Sequence, residues 1–135
     1  MDEKIGYLER IIERMSAEER KSRIGGAVFE ALISVYGSQG LFDEALRTFE
    51  TIAGRVDGPC LRAILLACST ASPARWLDAA TILHTSDIVE GTCGPAKVDQ
   101  IALSNAIIAC GKADQFEEGL NLLQLYGIPE RQRYD

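Results

Sequence analysis

Few side chains in this chain are suited to catalysis or to metal binding. His84 is the single histidine, and the cysteines are Cys60, Cys68, Cys93 and Cys110. A zinc site needs closely spaced ligand pairs, and no CxxC pair is present. A hydrolase triad would have to take His84 as its base. That residue falls inside an apolar helical pattern, and a base without a positioned nucleophile does no chemistry. The expectation for His84 is a partly exposed helix residue. Cys68 and Cys110 follow small residues within apolar runs. They read as small core residues in a reducing compartment, not as halves of disulfides.

The paired carboxylates are Asp43-Glu44 and Glu117-Glu118. Successive helix residues point about 100° apart, so neither pair converges on one proton. Each pair suits the first turn of a helix, where negative charge complements the dipole. The stretch GTCGPAK lacks the terminal GK[ST] of a phosphate-binding loop and reads as an ordinary loop. Trp76 takes the place held by Phe42 and Phe116 in related segments, which points to core packing. No strand pattern is convincing. The expectation is a protein that is not an enzyme and uses no cofactor and no metal.

The elements that carry these residues follow from periodicity. Phe29, Leu32, Ile33 and Tyr36 make one apolar helix face, and Phe42, Ala45, Leu46, Phe49 and Ile52-Ala53 make another. Only GSQG separates them, so the two helices are antiparallel neighbours. The same grammar returns with Leu103, Ala106, Ile107 and Cys110, the turn GKAD, and then Phe116, Leu120 and Leu123. Ala45 and Gly119 are equivalent small residues that let the paired helix approach. YGSQGLFDEALRTF aligns with CGKADQFEEGLNLL without a gap at a separation of 74 residues, two steps of about 37. A middle copy is expected between them. Leu61, Ile64, Leu65 and Cys68 supply its first helix, and Trp76, Ala79, Ala80 and Leu83 its second. About two extra turn residues surround Pro73, which cannot continue the first helix and suits the start of the second. The endings GRVD, AKVD and RQRYD close the units at Asp57, Asp99 and Asp135.

These readings divide the chain into an N-terminal amphipathic helix and linker (1–24), repeat 1 (25–57), repeat 2 with an insertion (58–99) and repeat 3 (100–135). The first segment carries the stripe Ile5, Leu8, Ile11-Ile12 and Met15, followed by the linker SAEERKSRIGG. It is either a degenerate preceding hairpin or a cap on the open end of the stack. The fold expected is all-α, a right-handed α-solenoid of stacked helix-turn-helix repeats.

The hairpins resemble pentatricopeptide repeats of the plain type, with about 35 residues per unit. The resemblance rests on FEALISVYGSQGLFDEALRTFETI, on ALSNAIIACGKADQFEEGLNLLQLYGIP and on the closing aspartates. Tetratricopeptide repeats share the hairpin but carry a Trp-Leu-Gly-Tyr pattern in the first helix, which is absent here. The resemblance implies an organellar protein, chloroplast or mitochondrial, that binds single-stranded RNA and acts in its processing, splicing, stability or translation. Each hairpin of that family reads about one base with two or three side chains. The resemblance places the small polar reader of repeat 3 on Ser104, with Asn105 as the neighbouring register. Its apolar wedge falls on Ile101, and its closing partner on Asp135, or on Tyr134 by strict count. Repeat 2 places Arg62 at the reader, Pro59 at the wedge and Asp99 at the close. Repeat 1 places Glu30, Ala27 and Asp57 there. Glu30 and Arg62 depart from the family's pattern.

The net charge is −6, where a free-standing nucleic-acid binder usually carries a basic footprint. That favours the alternative, a helical-repeat adaptor whose acidic surface meets a basic protein partner inside an organellar complex. The longest apolar runs are too short to cross a bilayer, so no membrane is expected. MDEKIGYLER reads as neither a secretory signal nor a transit peptide. The open ends of a short stack offer a surface for a homodimer.

Overall fold

A computed structural model describes residues 3–52, 58–90 and 100–127. Among these residues the chain is all helical, with no strand. The helices are α1 (Glu3–Arg14), α2 (Ala17–Lys21), α3 (Arg23–Ser38), α4 (Phe42–Thr51), α5 (Gly58–Thr70), α6 (Trp76–Glu90), α7 (Gln100–Lys112) and α8 (Phe116–Tyr126). Asp57, Asp99, Asp135, Tyr134, Ala53, Cys93 and the GTCGPAK loop lie outside the described residues.

Helices α3, α5 and α7 form a row, α5 packing on both of its neighbours. Each pairs with the helix that follows it: α3 with α4, α5 with α6, α7 with α8. The second helix of one pair also touches the first helix of the next, α4 on α5 and α6 on α7. Helices α1 and α2 both pack on α3. The core runs along the row. Ile33, Ile64, Leu65, Cys68 and Cys110 are fully buried within it.

The three turns share one backbone bond. The Leu41 amide donates to the Tyr36 carbonyl at 2.8 Å, and the Gln115 amide to the Cys110 carbonyl at 2.8 Å. In the middle turn the Arg75 amide donates to the Cys68 carbonyl at 2.9 Å. The middle turn closes the same bond across two more residues, which accommodates the cis Ser72–Pro73 peptide. Pro73 therefore sits inside the turn, ahead of α6. The chain reverses through a left-handed residue at Gly40 (φ 76°) and at the equivalent Asp114 (φ 60°). Glycine and aspartate are among the residues that adopt this conformation readily. Gly37 has a separate reason: a Cβ there would stand 3.0 Å from the Ala67 Cβ, where α3 crosses α5.

Most expected core positions are inward. Phe29, Leu32, Ile33 and Tyr36 are buried, as are Phe42, Ala45, Phe49 and Ile52, while Leu46 is half-buried against them. In the middle pair Leu61, Ile64, Leu65, Cys68, Ala79, Ala80 and Leu83 are buried and Trp76 packs on the core half-buried.

Two expectations need correction. The linker after α1 is largely helical. Ser16 caps α2 with a reciprocal capping box: Glu19 donates its amide to the Ser16 hydroxyl at 3.1 Å and accepts from the Ser16 amide at 2.9 Å. The signal was the spacing Ser-x-x-Glu. Arg20 reaches back to cap the end of α1, donating from Nη2 to the Ile12 carbonyl at 2.8 Å. Gly25 lets α2 sit against α3, since a Cβ would lie 2.4 Å from the Arg20 carbonyl oxygen.

The second correction concerns α8. Phe116 and Leu120 are not inward; each is 63% exposed, and Leu123 is exposed as well. The buried residues of α8 are Gly119, Leu122 and Tyr126. Phe42, the equivalent of Phe116, is 8% exposed. The difference comes from what lies over each helix. The flank of α4 is covered by α5 and by Arg75, whereas α8 packs on α7 and its other flank faces solvent.

Candidate nucleic-acid interface

The outward face of α3, α5 and α7 is set by helical phase. The second helices and the neighbouring first helices occupy the other sides. The turn bond fixes the register between copies, so Tyr36, Cys68 and Cys110 correspond. Counting back from them, Glu30, Arg62 and Ser104 share one level, one turn below Ser34, Leu66 and Ile108. Ala27, Pro59 and Ile101 lie one turn further toward the helix starts. All of these are exposed except Glu30, which is half-buried.

Ser104 and Ile101 lie three residues apart on this face, and Ile101 is 57% exposed. The Ser104 hydroxyl donates to the Gln100 carbonyl at 2.9 Å, which leaves its oxygen able to accept. Asn105 is half-buried beside it. Thus α7 presents an apolar side chain and a hydroxyl at adjacent points. On α5 the same two points carry Pro59 and Arg62, and on α3 Ala27 and Glu30.

Among the described residues, Arg47, Arg62 and Lys112 do not gather along one groove. Arg47 lies on α4 and pairs with Glu44 at 3.3 Å, away from the row's outward face. Lys112 is at the end of α7, and its ammonium donates to the Ser69 carbonyl of α5 at 2.9 Å. That contact satisfies a carbonyl in the last turn of α5, where a cation also suits the dipole. Lys97 lies outside the described residues. Two features of this face escaped sequence reasoning. Leu66 and Ile108 are large exposed apolar residues at equivalent positions on adjacent helices. Their only signal was the spacing of four residues from Arg62 and Ser104.

His84, Tyr126 and the buried cysteines serve packing. His84 is half-buried, and its Nδ1 forms a hydrogen bond with the Tyr126 hydroxyl, which ties α6 to α8. The Tyr126 carbonyl accepts from Gln100 Nε2 at 3.1 Å. Burial pushes the Cys68 thiol up to about 12, and burial with nearby Glu118 raises that of Cys110. Both stay protonated and unreactive at neutral pH. Among the described residues no group of three His, Cys, Asp or Glu side chains is placed to hold a metal ion, and no helix is long and apolar enough to cross a membrane. A cleft of about 470 Å³ opens between the first two turns, lined by Gly40, Leu41, Asp43, Ser72 and Arg75 among others. It lies at the turn end of the hairpins, apart from Ser104.

The described residues define an all-helical protein of antiparallel helix pairs whose first helices stand in a row. Comparison with family models, with curated proteins and with solved structures returns no match.

Proposed function

We propose that the chain is a right-handed α-solenoid of pentatricopeptide type that binds single-stranded RNA along the outward face of α3, α5 and α7. The observation that carries this reading is the pair Ile101 and Ser104, exposed side by side at the two positions where the resemblance puts a wedge and a reader. The repeated turn bond and the row of first helices support the solenoid. An apolar side chain can wedge beneath a base while a hydroxyl meets its edge. Arg62 on the same level supplies a cation for phosphate. With Glu30 at the equivalent point of α3, contact is strongest toward α7 and fades toward α3. The closing aspartates, which pair with the readers in the resemblance, complete this proposal for Asp57, Asp99 and Asp135. The same resemblance carries the proposed setting, RNA maturation in a chloroplast or mitochondrion.

The test is binding to a pool of random single-stranded RNA at physiological salt. Retention above that of an Arg62→Glu variant supports the reading; equal retention sinks it.

A protein-adaptor reading is favoured by a different observation. Leu66 and Ile108 form exposed apolar points at the centre of the same face, on a chain of net charge −6. Fully buried interface cores are rich in such residues, ringed by polar ones. Loss of a basic protein partner on Leu66→Glu, with RNA retention unchanged, would favour it.

A further inference from the structure

Each end of the row carries exposed apolar side chains. At one end stands α8, whose open flank presents Phe116, Leu120 and Leu123 with Glu117 beside them. At the other stands α1. It holds α3 through Ile5, Leu8 and Ile12, while Glu9 accepts from the Tyr36 hydroxyl at 2.6 Å. Its side near α4 carries Glu9, Ile12 and Glu13, which line a cleft with Arg47 and Thr48. The side of the helix turned the other way carries Lys4, Tyr7, Ile11 and Arg14; Tyr7 is 58% exposed and Ile11 half-buried. These four fall at i, i+3, i+7 and i+10, one line along the helix.

The junction between the first two hairpins shows what such a flank takes. Phe42 and Asp43 on α4 receive the Arg75 guanidinium, which stacks on the ring and pairs with the carboxylate. Phe116 and Glu117 are the equivalents of Phe42 and Asp43 on α8.

We propose that copies of this chain associate head to tail, the open flank of α8 docking on the Lys4–Arg14 line of α1 in a second copy. The proposal rests on the stacked-hairpin reading and is independent of RNA. With the helices running in the same direction, as second helices of a stack do, one register sets Lys4 against Glu117 and Tyr7 against Leu120, and Ile11 then falls opposite Gln124, next to Leu123. Arg14 comes to the C-terminal end of α8, where the dipole favours a cation. The charged side chains named are complementary: Lys4 and Arg14 on α1 are basic, and Glu117 on α8 is acidic. The contact is heterologous, so it propagates beyond a dimer unless the rotation closes a ring.

The experiment is sedimentation velocity of the full chain over a micromolar to millimolar series. The expected result is a mass rising past twice the 14.7 kDa of one chain. Leu120→Glu and Tyr7→Glu each return the monomer with unchanged helical circular dichroism. Mixed together, they form a capped heterodimer, because each variant retains the surface the other has lost. A wild-type chain that stays monomeric throughout overturns the proposal. So does a Tyr7→Glu chain that still self-associates, which would mean that α8 pairs with α8. RNA retention is read separately, so failure of one reading leaves the other standing.

Discussion

The guanidinium of Arg75 lies over the ring of Phe42, 4.5 Å from its centroid, and its Nη2 meets Asp43 at 2.8 Å. Arg75 belongs to the second turn of the molecule, Phe42 and Asp43 to the helix after the first. The contact therefore joins two hairpins. Its Nε lies 3.4 Å from Asp78 Oδ2, long for a hydrogen bond, and is best counted as a charge neighbour in the first turn of the helix that follows it.

Arg75→Ala is expected to lower stability by about 1 kcal/mol, since a partly exposed cation–ring contact and an exposed ion pair are each worth no more than that. Urea melts check it. Arg75→Lys is expected to restore less than half, because a compact ammonium cannot stack and pair at once. A null effect of Arg75→Ala would mean that backbone and apolar contacts alone hold the junction.

Leu46 and Leu120 are equivalent in the repeat but not in burial. Leu46→Asp is expected to cost about 2–3 kcal/mol, because a carboxylate enters a half-buried apolar contact. Leu120→Asp in dilute solution is expected to stay within about 0.5 kcal/mol of the parent. Denaturant midpoints of the two variants decide the matter. Equal losses would contradict the exposed flank of α8.

Tyr36 links stability to alkaline pH. Its hydroxyl is pushed up to about 12, first by burial and then by its bond to the Glu9 carboxylate. A phenol raised in the fold holds its proton longer than in the unfolded chain. Its contribution is complete below pH about 10, the unfolded value, and drains away as the pH climbs through about 12. Wild-type protein should therefore lose stability across that window faster than Tyr36→Phe. Ultraviolet titration of the two proteins supplies the direct reading: a component ionising near pH 12 in the wild type is missing from Tyr36→Phe. Identical titrations in that range would remove the Tyr36–Glu9 bond from the account.

Ser104→Ala removes an exposed hydroxyl whose internal bond is to the preceding turn of its own helix. Melting should shift by less than about 0.5 kcal/mol, as for exposed substitutions generally. RNA retention should fall several-fold, and Ile101→Ala should weaken it further by removing the wedge. Unaltered retention in both variants would detach this face from RNA.

Much of the architecture was legible before any coordinates. The i, i+3, i+4 stripes placed α3, α4, α5 and α7, and the short glycine-containing turns made α4 antiparallel to α3 and α8 antiparallel to α7. The two extra residues near Pro73 were visible as a mismatch of spacing. The candidate site was legible only in part. Ile101 and Ser104 could be placed on a face by counting, while Leu66, Ile108 and the Lys112–Ser69 bond could not. The first two stand within apolar runs, where residue type does not separate an outward side chain from an inward one, and the last joins residues 43 positions apart.

Periodicity determines which side of a helix is apolar, because 3.6 residues per turn brings i, i+3 and i+4 together. It does not determine whether anything lies over that side. Phe42 and Phe116 stand in nearly the same local sequence, yet one is 8% exposed and the other 63%. Burial belongs to the covering element, here α5 with Arg75, and that element is supplied by residues far away in the chain. Local periodicity sets the helix pairs and their register; contacts from distant residues make one of two equivalent apolar flanks core and leave the other a surface.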